Sequence, residues 1–353
     1  MKCAVCRGPA VIDMARHNVN LCGDHFVKHC HEQVAKAIRR HDMIQPTDRV
    51  LVAVSGGKDS LALWDILLAL GYQVDGLFVG LGNGEYSTEA LTYVRAFASE
   101  RSLVLVEVDL ATKYGFDIPT AATATRRVPC SACGTSKRHV FDLAATEGGY
   151  DVMATGHNLD DEAAVLLGNV LHWDIEYLAR QRPALPARPG FPRKVKPLVR
   201  LAERESAAYC VVRGIDYQVE ECPMAAGNRH LGYKEALNAI EATSPGSKHA
   251  FYDGFLQRMS PTLVPGSAAE QGDLQPCIEC GAPTTSDICS FCRIVARASV
   301  HEPVPIEVHV RKGRGRASRA ADAASERAIR ALDATLDATL DAAVETSVEP
   351  VER

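Results

Sequence analysis

Short apolar runs and amphipathic stretches alternate along most of the chain. The apolar runs have the length of β-strands and lie at residues 50–54, 74–79, 103–108, 151–155 and 217–219. Apolar positions at helical spacing predict helices at residues 29–41, 60–70, 88–100, 140–147, 160–171, 202–213 and 233–241. This alternation predicts an α/β fold whose parallel sheet is covered by helices on both faces.

Segments outside this pattern suggest how the chain is divided. We predict an N-terminal metal module at residues 1–27, a core at 28–260, a C-terminal metal module at 270–300 and a tail at 311–353. The two modules are too short to fold on a hydrophobic core alone. Within the core, the Pro-rich stretch at 183–197 is predicted to be an ordered loop or a mobile segment over the site. The tail is basic, then acidic and Ala-rich, which predicts disorder.

Composition narrows the class of protein. The chain has 353 residues and twelve cysteines, with no apolar run of transmembrane length and no signal-peptide pattern. We therefore expect a cytoplasmic protein without a membrane partner. In a reducing compartment, this many cysteines indicates metal ligation or catalysis rather than disulfides.

Charge is unevenly distributed. The formal net charge is −5, and residues 320–353 alone hold eight carboxylates against three arginines. The rest of the chain is therefore neutral overall, with basic clusters at 39–41, 126–127, 137–138, 193–196 and 200–204. Basic patches on a neutral body suit a polyanionic substrate, although ordinary solvated charges explain the clusters equally well.

The segment VLVAVSGGKDS at residues 50–60 places a glycine turn between a buried strand and a helix N-terminus. Such a turn directs backbone N–H groups and the positive end of the helix dipole toward an anion. Gly56 and Gly57 let phosphates approach the backbone closely. Lys58 can neutralise a phosphate, and the hydroxyls of Ser55 and Ser60 can donate hydrogen bonds to it.

This turn matches neither of the common phosphate-binding motifs. A Walker motif needs a glycine where Val52 stands and a Ser or Thr in place of Asp59, and the pattern GxGxxG is absent as well. The letters SGGKDS instead resemble the pyrophosphate loop (PP-loop) of ATP pyrophosphatases, which activate a carbonyl oxygen by adenylation. In that family the loop holds the leaving pyrophosphate, and an acidic residue is associated with Mg²⁺.

The segment ATGHNLDD at residues 154–161 repeats this arrangement at another strand end. Gly156 can approach a nucleotide closely, while Asp160 and Asp161 fall at a helix N-terminus. We assign Asp160 to helix capping. For Asp161, Mg²⁺ binding or proton handling and a purely structural role both stay open.

Two sets of four residues have the spacing of closed zinc sites. They are Cys3-x-x-Cys6 with Cys22-x-x-His25, and Cys277-x-x-Cys280 with Cys289-x-x-Cys292. Four such ligands complete a tetrahedron around zinc, with iron as the competing metal. The bound metal supplies folding free energy that modules of this size lack. His17, His29 and Cys30 lie nearby, but none preserves the paired spacing.

A further pair, Cys130-x-x-Cys133, has no second pair beside it. Cys210 and Cys222 remain as third ligands, and Cys222 is the better choice because strand ends of an open sheet converge on the ligand crevice. Cys210 is assigned to the core. Three cysteines leave one coordination position open. An iron–sulfur cluster with a free iron and a Cys130/Cys222 pair acting through a persulfide both fit this set.

Together these motifs resemble those of the tRNA 2-thiolation enzymes of the TtuA type, which include archaeal and eukaryotic thiouridylases. The resemblance covers residues 1 to about 300 and rests on CxxC…CxxH, SGGKDSLAL, CSACG-x-x-KR, ATGHNLDDEA, EECP…YKEALN and the terminal four-cysteine module. It implies a PP-loop ATP pyrophosphatase core flanked by two zinc modules. The acidic Ala-rich tail departs from the family pattern.

The resemblance also implies roles for individual residues. Cys130, Cys133 and Cys222 match the ligands of a [4Fe–4S] cluster whose unique iron can hold a sulfide. Lys137 and Asp161 match polar residues near the nucleotide and the cluster, and we take them, with Cys130 and Cys222, as the catalytic set. The residues expected to bind ATP are Ala53, Ser55, Gly56, Gly57, Lys58, Asp59, Ser60, Val79, Lys137 and Gly156.

The implied activity is ATP-dependent 2-thiolation of a tRNA uridine. The C2 oxygen is a poor leaving group, and adenylation converts it to AMP before sulfide attacks C2, with Lys137 stabilising charge on the α-phosphate. The sequence resembles the bacterial type, which modifies 5-methyluridine of the T loop, more closely than the eukaryotic type, which modifies the wobble uridine. The implied partners are tRNA and a ubiquitin-like sulfur carrier with a C-terminal thiocarboxylate. Dimerisation through a zinc module stays open.

Three alternatives remain at this point. The first keeps tRNA and ATP but replaces the cluster with a Cys130/Cys222 persulfide relay. The second is a zinc-ribbon tRNA-binding scaffold with a degenerate nucleotide fold. The third is an ATP-dependent amidating ligase for a small molecule, against which the lack of an obvious glutaminase segment counts.

Overall fold

A computed structural model describes residues 1–225, 229–263 and 274–301. These residues all belong to the unit Met1–Ile306. The predicted tail at 311–353 and the first four residues of the predicted module at 270–300 lie outside the described residues. Within the described part of the chain, no helix combines the length and the apolar character needed to cross a membrane.

The strands of the described residues are short. They are β1 (Ile12–Met14), β2 (Val19–Leu21), β3 (Arg49–Ala53), β4 (Gln73–Gly80), β5 (Leu105–Asp109), β6 (Val152–Thr155), β7 (Ala184–Leu185), β8 (Arg193–Val195), β9 (Gln275–Pro276) and β10 (Pro283–Thr284). The pairs β1–β2 and β9–β10 form separate antiparallel hairpins, and the other six strands form one sheet.

Helices connect and cover these strands. They are α1 (Gly23–Arg40), α2 (Lys58–Ala69), α3 (Glu85–Glu100), α4 (Leu110–Tyr114), α5 (Ile118–Thr125), α6 (Pro129–Glu147), α7 (Leu159–Leu171), α8 (Ile175–Arg180), α9 (Glu203–Arg213), α10 (Arg229–Thr243), α11 (Ser247–Gly254) and α12 (Ser290–Ala298). Single 3₁₀ turns occupy Ala15–His17 and Pro223–Ala225, and Phe255–Met259 forms a π-helical turn.

The central sheet has the strand order β5-β4-β3-β6-β8-β7. All neighbouring pairs are parallel except β7–β8 at the edge. The chain proceeds from β3 outward through β4 and β5, and then returns to place β6 on the opposite side of β3. The strand order therefore reverses between β3 and β6, which is where open α/β sheets bind ligands at their carboxyl ends. The predicted parallel α/β fold is confirmed.

Strand β3 forms the centre of the sheet because its side chains are apolar on both faces. Val50 and Val52 pack into one core cluster with the helices on that side, and Leu51 packs into a second cluster on the other side. On the first face, Trp64 of α2 lies against β4 at Gly76, where a Cβ atom would come within 2.5 Å of its ring. A glycine is therefore required at that strand position for the helix to pack.

The two end modules are packed onto the core. Helix α1 begins directly after Cys22 and continues without a break past residue 27, and its Phe26 and Val34 are fully buried in the same core cluster as β3. The C-terminal module contacts helix α6 through Phe291 of α12, whose ring stacks on His139 at 4.0 Å between centroids. Both modules therefore share apolar contacts with the sheet domain.

Two sequence predictions about elements are wrong. Residues 217–219 form no strand, because their backbone is bound elsewhere: Gln218 N donates to the Gly56 carbonyl at 2.9 Å and its side chain donates to the Tyr86 carbonyl at 3.0 Å. The Pro-rich stretch at 183–197 is not merely a loop, since it supplies β7 and β8. The predicted helix at 140–147 is the second half of the longer α6, whose first half lacks helical apolar spacing.

Candidate active site

The turn between β3 and α2 closes around the hydroxyl of Ser60. Its Oγ accepts a hydrogen bond from Ser55 N at 3.1 Å and donates one to the Gly57 carbonyl at 2.9 Å. Gly56 has φ +84°, and a Cβ there would lie 2.7 Å from the Ala90 carbonyl oxygen, so only glycine fits. The turn is therefore fixed by its own residues and by the neighbouring helix α3.

Helix α2 presents its N-terminus at this turn. It begins at Lys58 after the N-cap residue Gly57, and no side chain accepts a hydrogen bond from its first N–H groups as a cap. Uncapped N–H groups at a helix N-terminus are suited to bind an anion. Gly156 at the end of β6 touches this terminus, since a Cβ there would lie 2.9 Å from Ser60 N. The predicted glycine thus allows β6 to approach the PP-loop.

A cavity of about 350 Å³ opens at the carboxyl ends of β3 and β6. This volume is in the range of small-molecule sites. Nine of the predicted site residues line it: Ala53, Ser55, Asp59, Ser60, Val79, Cys133, Lys137, Gly156 and Cys222. Five others, Gly56, Gly57, Lys58, Cys130 and Asp161, are not part of its lining. The structure therefore brings the PP-loop, the predicted catalytic lysine and two cysteines of the central set to one cavity.

Several residues of this cavity were not singled out from the sequence. Phe78, Tyr86 and Phe141 supply its apolar surface. Burial raises the pKa of Tyr86, and the thiols of Cys222 and Cys133 raise it further, so the phenol stays protonated beside the cysteines. No sequence signal marked these positions, because aromatic residues at strand ends and in helices are ordinary core residues.

The three central cysteines lie on two segments. Cys130 and Cys133 are one turn apart on α6, and Cys222 precedes the 3₁₀ turn Pro223–Ala225. Cys130 Sγ lies 3.7 Å from the Met224 carbonyl, which holds the two segments together. Burial raises the pKa of Cys222, and the neighbouring thiols of Cys133 and Cys130 act in the same direction. The amide Nδ2 of Asn83 lies 3.6 Å from Cys222 Sγ.

This donor set suits iron–sulfur ligation. Three thiols on two converging segments supply three of the four ligands that a [4Fe–4S] cluster takes. Cys210, the rejected alternative, is fully buried and its Sγ donates to the Lys58 carbonyl at 3.4 Å. Burial raises its pKa to about 12. The prediction that Cys210 is a core thiol is confirmed.

The two terminal sets converge as predicted. The ligand atoms of Cys3, Cys6, Cys22 and His25 lie within 4.8 Å of one another, and so do the four sulfurs of Cys277, Cys280, Cys289 and Cys292. The backbone N–H of Cys6 lowers the pKa of Cys3 to about 6, which favours the thiolate that a metal binds. Both sets fit a single tetrahedral ion. Among the described residues, no other cluster of His, Cys, Asp and Glu ligands has this geometry.

A network of charged residues lies beside the PP-loop. Lys58 Nζ lies 2.8 Å from Glu203 Oε1 and 3.3 Å from Asp59 Oδ2. Lys234 Nζ, on α10, lies 2.6 Å from Asp161 Oδ1 and 3.1 Å from Glu203 Oε2. Glu203 thus binds both lysines. Burial opposes ionisation of Glu203, but Lys58 and then Lys234 lower its pKa to about 2.

Asn158 closes this network into a ring. Its Nδ2 donates to Asp59 Oδ1 at 2.9 Å, its backbone N donates to Asp161 Oδ2 at 3.1 Å, and its Oδ1 accepts from Asp161 N at 3.1 Å. We call the six residues Lys58, Asp59, Asn158, Asp161, Glu203 and Lys234 the ion-pair ring. Asn158 and Lys234 fall in motifs quoted above, whereas Glu203 had no sequence signal.

The ion-pair ring bears on two sequence predictions. Both oxygens of Asp59 and both oxygens of Asp161 have lysine or amide partners. Each carboxylate oxygen can accept a second bond, so Mg²⁺ binding by Asp161 stays a prediction. The assignment of Asp160 as the helix cap is wrong, because Asn158 is the N-cap of α7. Asp160 is buried instead, where it binds the Lys248 ammonium group and accepts a hydrogen bond from Glu203 N at 2.9 Å.

Comparisons with known proteins identify relatives of this chain. Residues 2–27 match the family described as "2-thiouridine synthetase TtuA, N-terminal LIM domain". The tRNA-5-methyluridine(54) 2-sulfurtransferase of Thermus thermophilus is 50% identical over 315 residues, covering 88% of this chain and 97% of that protein. The enzyme of the same name from Pyrococcus horikoshii is 39% identical over 293 residues, covering 83% and 93%.

A solved structure shows the same fold. The "U34-tRNA thiolase NcsA from Methanococcus maripaludis with its [4Fe-4S] cluster" superposes with a TM-score of 0.71 at 24% identity, and the match covers 87% of this chain and 99% of that one. The sheet, its helices and the end modules therefore belong to an architecture known from experiment.

Proposed function

The chain belongs to the family of tRNA-5-methyluridine(54) 2-sulfurtransferases, and from this premise we propose that it catalyses the ATP-dependent 2-thiolation of 5-methyluridine 54 in tRNA. One observation carries the proposal. The PP-loop residues Ser55 and Ser60 line the same cavity as Lys137, Cys133 and Cys222. A phosphate-binding turn, a cation and a sulfur-binding centre are thus within reach of one substrate.

The reaction has two steps, each served by residues of this cavity. The C2 oxygen of the uridine attacks the α-phosphorus of ATP, and pyrophosphate leaves. Sulfide then attacks C2, the bond from C2 to the AMP oxygen breaks, and AMP departs with that oxygen. The N-terminus of α2 and the hydroxyl of Ser55 bind the pyrophosphate. Lys137 stabilises negative charge on the α-phosphate in both steps.

The metal groups of this proposal follow from their donor sets. A [4Fe–4S] cluster on Cys130, Cys133 and Cys222 would supply an iron that the protein leaves free for sulfide. The terminal sets would each hold one Zn²⁺. Mg²⁺ would bind through the phosphates of ATP, and we derive no step from it. The proposed sulfur donor is a ubiquitin-like carrier with a C-terminal thiocarboxylate, in the cytoplasm.

Mass spectrometry of tRNA nucleosides tests the proposal. A strain lacking this protein is complemented with the wild type, with Lys137→Ala, or with Lys36→Ala on the exposed face of α1 as a matched control. We expect 2-thio-5-methyluridine to return with the wild type and the control but not with Lys137→Ala. If the strain lacking this protein lost a wobble thiouridine instead, the wobble uridine would be the substrate.

Further outcomes separate the remaining alternatives. If Lys58→Ala and Asp59→Ala left thiolation intact, the result would favour the alternative in which the chain is a tRNA-binding scaffold. Iron and sulfide are measured on protein purified without oxygen. If a colourless, iron-free protein kept full activity, the cluster mechanism would be excluded in favour of the Cys130/Cys222 persulfide relay.

A further inference from the structure

A second cavity, of about 380 Å³, lies beside the cysteine centre. Cys130 and Met224 line one part of it, and His172, Arg229, His230 and Tyr233 line other parts. Cys133 and Cys222 line the nucleotide cavity instead. The cysteine centre therefore stands between two cavities, and the second one reaches it without passing the PP-loop.

An exposed aromatic surface borders this second cavity. Trp173, in the segment that joins α7 to α8, is 73% exposed, and Tyr177, within α8, is 60% exposed. His172 and Asp174, the chain neighbours of Trp173, both line the cavity. The backbone of Trp173 therefore lies beside the cavity, although its side chain is not part of the lining. Leu171 and Ile175 of the same stretch are exposed as well, and a group of exposed apolar side chains, unlike a single one, can mark a binding surface.

The backbone conformation at Trp173 gives no structural reason for a tryptophan at this position. Trp173 has φ +51°, which bulky residues seldom adopt. It follows the last turn of α7, where its N–H donates to the Val170 carbonyl at 3.1 Å and the Asp174 N–H donates to the Asn169 carbonyl at 3.0 Å. Glycine is the residue favoured at this position after a helix. Neither backbone preference nor burial accounts for a tryptophan here.

The charges around the cavity favour a polyanion. Arg229 lines it, and the exposed Arg126 and Arg127 directly precede Val128, which also lines it. Of the acidic residues nearby, Asp174 lines the cavity together with Arg229, and Glu176 is paired with Arg180 at 3.7 Å. Cationic side chains combined with exposed aromatic rings are the usual means of holding unstacked bases of single-stranded RNA loops.

We propose that this second cavity and Trp173 bind the loop nucleotides of the RNA substrate. A base next to the target uridine enters the cavity beside Cys130, and a further base stacks on the Trp173 ring, with Tyr177 extending the stacking surface. The arginines contact the phosphates. This inference rests on the proposed function and adds the face of the protein from which the RNA reaches the cysteine centre.

Tryptophan fluorescence tests the inference on the full chain. The chain has two tryptophans, and the other one, Trp64, is fully buried, so a response to RNA reports on Trp173. An unmodified tRNA transcript is the probe. We expect it to quench the fluorescence of the wild type and not that of Trp173→Phe, which keeps an aromatic ring and still binds.

Two further variants measure the contribution to binding. Trp173→Ala is expected to weaken tRNA binding about 5- to 100-fold, the usual range for loss of one base stack, while ATP binding stays unchanged. Trp173→Gly is expected to weaken tRNA binding equally but to leave the melting temperature unchanged or higher, because glycine adopts the positive φ freely. A structural tryptophan would instead lower the melting temperature when replaced.

The possible failures are distinguishable. If the wild type binds no tRNA, the proposed function fails, and this inference fails with it. If tRNA binds with unchanged Trp173 fluorescence and the same affinity for Trp173→Ala, only this inference is overturned. It is also overturned if Trp173→Ala changes the sedimentation coefficient or impairs only thiolation driven by a protein sulfur donor, since the surface would then bind protein.

Discussion

The ammonium group of Lys234 lies 2.6 Å from the carboxylate of Asp161, although these residues are far apart in the sequence. This contact ties α10 to the N-terminus of α7. The same ammonium group binds Glu203, which also binds Lys58 of the PP-loop. Glu203 therefore joins the PP-loop to α10, the helix whose first turn borders the second cavity.

Replacing Glu203 tests the ion-pair ring. Because the pKa of Glu203 falls from its ordinary 4.5 to about 2, ionised Glu203 stabilises the fold above about pH 4.5. That stabilisation is lost as the pH falls toward 2. We expect Glu203→Gln to lower the free energy of unfolding by about 1 kcal/mol at pH 7, a modest value because the side chain is 37% exposed. The difference from wild type should shrink between pH 4.5 and pH 2.

Urea denaturation of both proteins at several pH values measures this effect. Both proteins contain the same metal ligands, so acid-induced loss of metal cancels in the difference. Glu100→Gln is the control, since Glu100 forms an exposed pair with Arg101 and its replacement should change little. A difference that grows as the pH falls would contradict the assigned role of Glu203.

Gly56 and Gly71 form a matched pair for testing the PP-loop. Both have a positive φ, +84° and +86°, but a Cβ at Gly56 would meet the Ala90 carbonyl at 2.7 Å, while one at Gly71 meets nothing within 4 Å. We expect both alanine variants to lose about 1 kcal/mol from backbone strain. Gly56→Ala should lose further stability and bind ATP at least about 10-fold more weakly. Calorimetry with ATP measures the affinity. Equal ATP affinity in both variants would argue against ATP binding by the PP-loop.

Serine variants test the central cysteine set. Replacing Cys133 or Cys222 removes a thiol that lines the nucleotide cavity, so these variants should hold less iron and sulfide after anaerobic reconstitution and should not thiolate tRNA. Cys210→Ser is the matched control, because its thiol is buried and bonded to the Lys58 carbonyl. Iron analysis and visible absorbance measure the outcome. Full iron content in Cys222→Ser would exclude Cys222 as a ligand.

Metal loss from the C-terminal module should affect α6. The module holds α6 through Phe291, which stacks on His139 at 4.0 Å, and α6 carries Cys130 and Cys133. We expect Cys280→Ser to remove one of the two proposed zinc ions, to lower the melting temperature, and to reduce iron incorporation. Metal analysis and thermal unfolding measure this. Phe291→Ala should lower the melting temperature with both zinc ions retained, at a cost of about 3 kcal/mol for a buried phenylalanine.

Local spacing was enough to predict much of this protein. The terminal metal sets were predictable because each cysteine pair lies within one turn of chain, so its geometry depends on three or four residues. The PP-loop was predictable for the same reason, since strand, turn and helix follow one another directly. The parallel sheet followed from the alternation of apolar runs with helical periodicity.

Long-range contacts decided the rest. The run at 217–219 has strand-like composition, but a strand needs a partner, and here the backbone N–H of Gln218 binds the Gly56 carbonyl while its side chain binds the Tyr86 carbonyl. The sequence could rank Cys222 above Cys210, but only the packing shows that one thiol faces the cavity and the other faces the core. Glu203 contacts Lys58 and Lys234, which lie on distant segments, and no local sequence pattern predicts such contacts. Which distant side chains meet depends on how the helices pack on the sheet, and that is determined only by the whole fold.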